Sequence, residues 1–289
     1  MNAREIVNIL NFASFRPEPD DPSASWASRF PNEKTILLTV NRGSVTWCEV
    51  QKGGRIIPGD TISGELKEIF TQIGAQLKDH TENGWASICL NTRYVITLET
   101  NLSRRAGSEE TVKLSPRTVL GARYERGKRY SVTHNPETNS SILLACDEEQ
   151  IRKIESMLRE AGIKPARVCC GTYVLLRHAL STTNVSKSED KTLSAFYIAC
   201  CHGSVCALVQ DQDRWLEIRS RTDVYEDSID PIVELLAPFQ QRISPDSEVI
   251  LIADRQIEGL HDALTNVFQG HKFTDLSTPT TLWSLLAKN

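Results

Sequence analysis

The chain has no apolar run approaching the roughly 18 residues that a membrane-crossing helix needs, so no spanning helix is expected. Its first residues, MNAREIVNILNFASFRPEPDD, hold no long apolar core and no small-residue cleavage site, which points to a cytosolic chain. An excess of one charge is missing too: 33 Lys and Arg against 37 Asp and Glu leave a formal net charge of -4. Bulk electrostatics therefore offers no attraction to nucleic acid or anionic lipid, and any such contact needs a local patch.

Catalytic signatures are equally scarce. No GxSxG elbow occurs, which removes the usual sign of a Ser, His, Asp hydrolase, and HGS at His202–Ser204 is too short to replace it. A nuclease of the ribonuclease H type needs carboxylates converging on two metals from the first strand onward. The strand-like TILLTV has none. A sugar kinase needs an acidic base and intact phosphate loops, and neither is visible. The eight cysteines contain no CxxC, and the six histidines are scattered. Adjacent cysteines such as Cys169–Cys170 and Cys200–Cys201 point to opposite faces of a strand. Reduced, buried core cysteine is the expectation, with no metal site.

What is present is enough apolar material for one bilobed or two ordinary domains: 289 residues, 40% of them hydrophobic. From Thr35 the chain reads TILLTV, a turn at Asn41 to Ser44, VTWCEVQ, a Gly53–Gly54 turn and RIIPG, a three-stranded meander. ELKEIFTQIGAQLKDH follows with Leu66, Ile69, Phe70, Ile73 and Leu77 at helical spacing, then WASICLN as a buried strand. The second half repeats the order: LSAFYIAC, SVCALVQ, RWLEIRS, a helix IDPIVELLAPFQQRI and a strand EVILIA. The repeat implies a duplicated α/β fold of mixed sheets covered by helices. A strand-rich insertion is expected from Tyr94 to Val132, then a strand SSILLAC. The helix DEEQIRKIESMLREAG follows, with Asp147 as N-cap and Gly162 at C′. IKPARVCC and a helix GTYVLLRHAL lead to the polar linker Ser181–Lys191. This sets out an N-terminal extension over 1–30, a first lobe over 31–180 with an inserted subdomain at about 91–146, and a second lobe over 192–289.

From about Thr35 to Ser284 this order resembles the actin-like proteins. Among them it is similar to the PilM-like platforms of type IV pilus assembly and the cytoplasmic part of the type II secretion L proteins. The local phrases are AGIKPARVCC, the hairpin from Phe196 to Ile218, and EVILIADRQIEGLHDALTNVF. The resemblance implies a bilobed, ribonuclease H-like duplicated fold whose first hairpin carries Asp-x-Gly-Ser around phosphate and Mg²⁺. Here those positions read Asn41, Arg42, Gly43 and Ser44, and an amide replaces the carboxylate. In the second hairpin Ala199 stands for the Asp and Cys201 for the first glycine, while Gly203 and Ser204 fit. At the adenosine site Ala253, Asp254 and Arg255 replace paired glycines and would crowd a base. The implied function is a non-enzymatic cytoplasmic scaffold, peripheral to the inner membrane, that has lost nucleotide chemistry and needs no cofactor. The alternative is an ATP-binding switch or ATPase taking ATP with Mg.

The implied partners are the short tail of a PilN-like inner-membrane protein and, further, an assembly ATPase. Homo-oligomerisation and peripheral membrane contact stay open, and nucleic acid is not expected. The phrase NILNFASFRP is itself similar to such a tail, through Asn8, Leu10, Asn11, Phe12, Ala13, Ser14, Phe15, Arg16 and Pro17. The blander reading is an amphipathic helix, with Ile6, Ile9, Leu10 and Ala13 at helical spacing. Finally, Ser103–Tyr130 holds eight Lys or Arg against three Glu. Arg104, Arg105, Arg123, Arg126, Lys128 and Arg129 form this patch, interleaved with Tyr124 and Tyr130. It is either a solvated rim or a contact for an anionic membrane surface.

Overall fold

The computed structural model describes residues 14–15, 35–41, 43–51, 54–77, 85–100, 102, 111–112, 115–134, 141–185, 194–211, 214–222, 224 and 228–287. Strands β2 (Thr35–Asn41), β3 (Ser44–Gln51) and β4 (Arg55–Ser63) form an antiparallel meander. Helix α1 (Leu66–Leu77) crosses to β5 (Trp85–Leu90), which pairs parallel with β2 and is buried along its whole length. β9 (Lys164–Cys170) adds parallel to β5, and a two-residue strand β1 (Ser14–Phe15) closes the edge, giving the order β1-β9-β5-β2-β3-β4. β4 runs four residues beyond the RIIPG that the turn signals mark. Its Pro58 is tolerated because β4 is an edge strand and pairs next to a register shift.

The second lobe repeats this plan. β10 (Ala195–Cys201), β11 (Ser204–Asp211) and β12 (Arg214–Arg221) form the meander. β13 (Glu248–Ala253) lies parallel to β10, and β14 (Phe273–Asp275) parallel to β13. Strand for strand, β4-β3-β2-β5-β9 matches β12-β11-β10-β13-β14. The period-2 rule for β10 holds to the residue: Phe196, Ile198 and Cys200 enter a core peculiar to the second lobe. Ala199 and Cys201 enter the main core. All eight cysteines are buried and free.

Inserted in the first lobe between β5 and β9 is a smaller sheet, β6 (Val95–Thr100), β8 (Ser141–Asp147) and β7 (Lys128–His134), in the order β6-β8-β7. Its short helix α2 (Pro116–Leu120) contributes Leu120 to a separate small core. Helix α3 (Glu148–Glu160) begins where Asp147 accepts a hydrogen bond from the Gln150 amide and ends as the sequence predicts. There the amides of Gly162 and Ile163 donate to the carbonyls of Arg159 and Leu158, the double bond of a Schellman stop.

Helix α4 (Gly171–Val185) does not stop at Leu180 but continues into the stretch read as a linker. Ser181, Thr182 and Thr183 are accommodated in the extra turn, since their hydroxyls find partners by donating back to the carbonyls of His178 and Ala179. The helix expected over IDPIVELLAPFQQRI is instead α5 (Asp230–Leu236) followed by a 3₁₀ turn at Ala237–Gln241, because Pro238 has no amide to continue the ladder. Helices α6 (Leu260–Val267) and α7 (Thr281–Ala287) complete the described elements.

α4 matters most for the molecule as a whole. Its Tyr173, Leu175, Leu176 and Ala179 are fully buried in the one apolar cluster that spans both large sheets. α7 returns from the second lobe to pack on α4, β2 and β4, with Leu282 and Leu286 in that same cluster. The two lobes therefore share a continuous core.

Candidate functional site

The two hairpin turns predicted as relics of nucleotide loops come together at the junction of the lobes. In the first, Asn41 pairs with Ser44 across a two-residue turn, with Gly43 at φ +67°. In the second, Cys201 pairs with Ser204, and the turn residues His202 and Gly203 stand at φ +44° and +70°. Both central residues of that second turn are left-handed, as a type I′ hairpin requires. Glycine meets this demand freely, whereas His202 holds a conformation few side chains adopt.

The duplication extends to individual hydrogen bonds. The Gly43 carbonyl accepts from the Gly64 amide, and the Gly203 carbonyl from the Val224 amide, each at 2.9 Å. Asn91, just after β5, donates its amide to Val40, and Asp254, just after β13, donates to Cys200. Asn91 and Asp254 are thus equivalent positions. The same register places Cys201 opposite Asn41 as its counterpart. Ala199, the residue read as standing for the Asp, lies two positions back inside β10, fully buried in the main core.

Asn91 is the residue that the sequence reading missed, and it joins the lobes. Only 3% exposed, it donates Nδ2 to Asn41 Oδ1 at 2.8 Å and to the His202 carbonyl at 3.0 Å. Its Oδ1 accepts from the Ser204 hydroxyl at 2.7 Å and from the Arg93 amide at 2.8 Å. One side chain therefore ties the first turn to the second. The signal was available: once the halves are aligned strand for strand, a polar residue follows the buried fourth strand at 91 as at 254.

Asp254 acts within its own lobe. Its Oδ2 lies 3.3 Å from both the His202 amide and His202 Nε2. Its Oδ1 is buried without a hydrogen-bond partner among the described residues. Desolvation lowers the pKa of His202 below the usual imidazole value; Asp254 opposes this and Arg255 adds to it. Ala253 is buried at the end of β13, and Cys201 packs so tightly on α4 that a Cβ on Gly171 would lie 2.4 Å from its sulfur.

These residues do not fit Mg-ATP. Phosphate and metal would need open donors on both turns and a carboxylate on the first. Asn41 supplies an amide already bonded to Asn91, and the Ser204 hydroxyl is given to Asn91 too. The Asp254 carboxylate turns toward His202.

The basic patch divides. Arg123 and Arg126 are exposed, and Lys128 pairs with Glu125 at 3.4 Å. Arg129 is not a surface cation: it is 6% exposed and bonds both Glu148 and Glu155 through both oxygens of each. Tyr130 is buried and its hydroxyl is engaged by the Glu125 backbone, so it offers no face for stacking. Arg104 and Arg105 lie outside the described residues. Of the tail-like phrase, Ser14 and Phe15 are described as β1, an extended strand rather than a helical turn. Asn8, Leu10, Asn11, Phe12, Ala13, Arg16 and Pro17 lie outside the described residues. Among the described residues no helix is long and apolar enough to cross a membrane.

No protein-family model matches the chain, and no curated protein matches it. Many solved structures are similar to it, among them three of comparable length. One is a Bacteroides thetaiotaomicron protein with actin-like ATPase fold and unknown function, at 10% identity and TM-score 0.50, over 89% of this chain and 96% of that one. A second is the cytoplasmic domain of EpsL, an inner-membrane component of the type II secretion system of Vibrio cholerae. It matches at 8% identity and TM-score 0.54, over 88% and 93% of the two chains. The third is the PilM–PilN type IV pilus biogenesis complex, at 14% identity and TM-score 0.54, over 88% and 90%. The likeness is one of fold, and the fold is the duplicated, bilobed actin-like one.

Proposed function

We propose that this protein is a non-enzymatic scaffold of the actin-like fold, in which a fixed joint replaces the nucleotide cleft. Its work is to hold the short tail of a membrane-anchored partner in a pilus- or secretion-type assembly. The observation that carries this reading is Asn91, whose amide bonds both of the hairpin turns that would have to hold phosphate and metal. Nucleotide-driven opening would break that joint and also part the core shared by α4 and α7. The partner class is supported by fold likeness to the EpsL cytoplasmic domain and to the PilM–PilN type IV pilus biogenesis complex.

The test is recovery of the tagged full-length protein on detergent-solubilised membranes of its host. The expected result is one retained membrane-anchored protein, released by a synthetic peptide of that protein's own terminal tail. Retention of soluble proteins alone, or release by Mg-ATP rather than by the peptide, would overturn the reading.

A further inference from the structure

The outer edge of β9 is treated differently in the two halves of the molecule. Its counterpart β14 is an edge strand, with no further strand paired to it among the described residues. In the first lobe the edge is taken. Ser14 pairs with Cys169 and Phe15 with Val168, antiparallel to an otherwise parallel run of β9, β5 and β2. β1 also lies against β7 of the smaller sheet, so it occupies the slot where the first lobe meets the inserted strands. It is the one strand of this sheet that the duplication does not account for.

An uncovered sheet edge offers unpaired backbone groups to any extended chain, and strand addition is a general way of binding peptides. Among the described residues, two pair along that seven-residue edge. We propose that the outer edge of β9 is a strand-acceptor site that the chain's own Ser14–Phe15 fills in cis. This segment is then a built-in competitor that an incoming partner tail must displace. The proposal rests on the reading of the protein as a tail-binding scaffold and names the regulation of that site. Chain length favours the cis arrangement. β1 and β2 are three strand spacings apart, about 14 Å, whereas residues 16–34 can reach on the order of 60 Å when extended. A connection of that length sets a millimolar-range local concentration of the competitor. It therefore weakens an untethered peptide without excluding it.

Two full-length variants test this, with a fluorescein-labelled synthetic peptide of residues 8–17 as the probe. The first carries Ser14→Pro and Phe15→Pro together, which removes the amides β1 can donate. It should bind the peptide at least ten-fold more tightly than the wild type. The second carries Ser14→Cys, which sets a thiol opposite Cys169 at a separation suited to a disulfide. Mild oxidation should give a monomeric, internally linked chain that no longer binds the peptide. Equal peptide binding by wild type and proline variant would overturn the proposal. So would an introduced thiol that stays free in the folded chain, or a disulfide-linked dimer, which would place the segment on a second copy. None of these readouts uses the membrane partner. If the partner is never found while they hold, the scaffold reading fails and the acceptor edge stands.

Discussion

If Asn91 joins the lobes, Asn91→Ala should loosen both turns at once. The substitution removes two donated and two accepted hydrogen bonds from a residue that is 3% exposed. The Ser204 hydroxyl, fully buried, loses its acceptor, and the Asn41 side chain loses a donor. A stranded buried polar group costs roughly 1–3 kcal/mol, and water entering the space recovers part of that. The net loss is therefore about 2–4 kcal/mol. With an unfolding entropy of about 2.1 cal/mol/K per residue, this lowers Tm by about 3–7 °C. Thermal denaturation gives that number. Hydrogen exchange adds the diagnostic part, because amides near residues 43–44 and 203–204 should become less protected together. A Tm shift under about 1 °C, or faster exchange in the first turn alone, would refute the claim that one side chain couples the lobes.

Two further outcomes follow from other buried groups. Because His202 titrates below its usual 6.5 in the folded state, the unfolded chain binds the extra proton first as pH falls. Stability is then complete above about 6.5 and declines as pH drops toward the lowered folded value. Replacing His202 with Asn, which tolerates the left-handed turn, should flatten the fall in Tm between pH 7 and 5, and an unchanged slope would remove His202 as its cause. Arg129→Leu leaves Glu155, 1% exposed, without its counter-charge and should cost about 3–5 kcal/mol by urea denaturation. Adding Glu155→Leu should restore part of the loss, and a double variant worse than the single one would contradict the pairing.

The sequence made the architecture legible because strands and helices announce themselves by period. TILLTV, VTWCEVQ and WASICLN, then their counterparts in the second half, suffice to write the topology twice. For one cysteine pair alternation sufficed, since Cys200 and Cys201 enter different cores, whereas Cys169 and Cys170 both lie in the main one. Where the reading slipped, a short-range signal lost to a neighbouring one. The hydroxyls of Ser181 to Thr183 looked like linker chemistry but bond back to carbonyls of their own helix. Arg129 looked like one more surface cation, yet Glu148 and Glu155 lie on the facing helix, a contact no local pattern discloses. That an amide stands at position 41 was plain. What it bonds was not, since Asn91 and Ser204 are 113 residues apart. Only folding brings them within 2.7 Å.

The central claim is that a joint stands where nucleotide would bind. Its most direct test is calorimetric titration of the folded protein with Mg-ATP and with ADP, after mass measurement shows that no nucleotide co-purifies. The expected result is no heat of binding. Association tighter than about 100 µM, roughly -5.5 kcal/mol, would contradict the account, because Asn41 and Ser204 would then have to release Asn91 for phosphate.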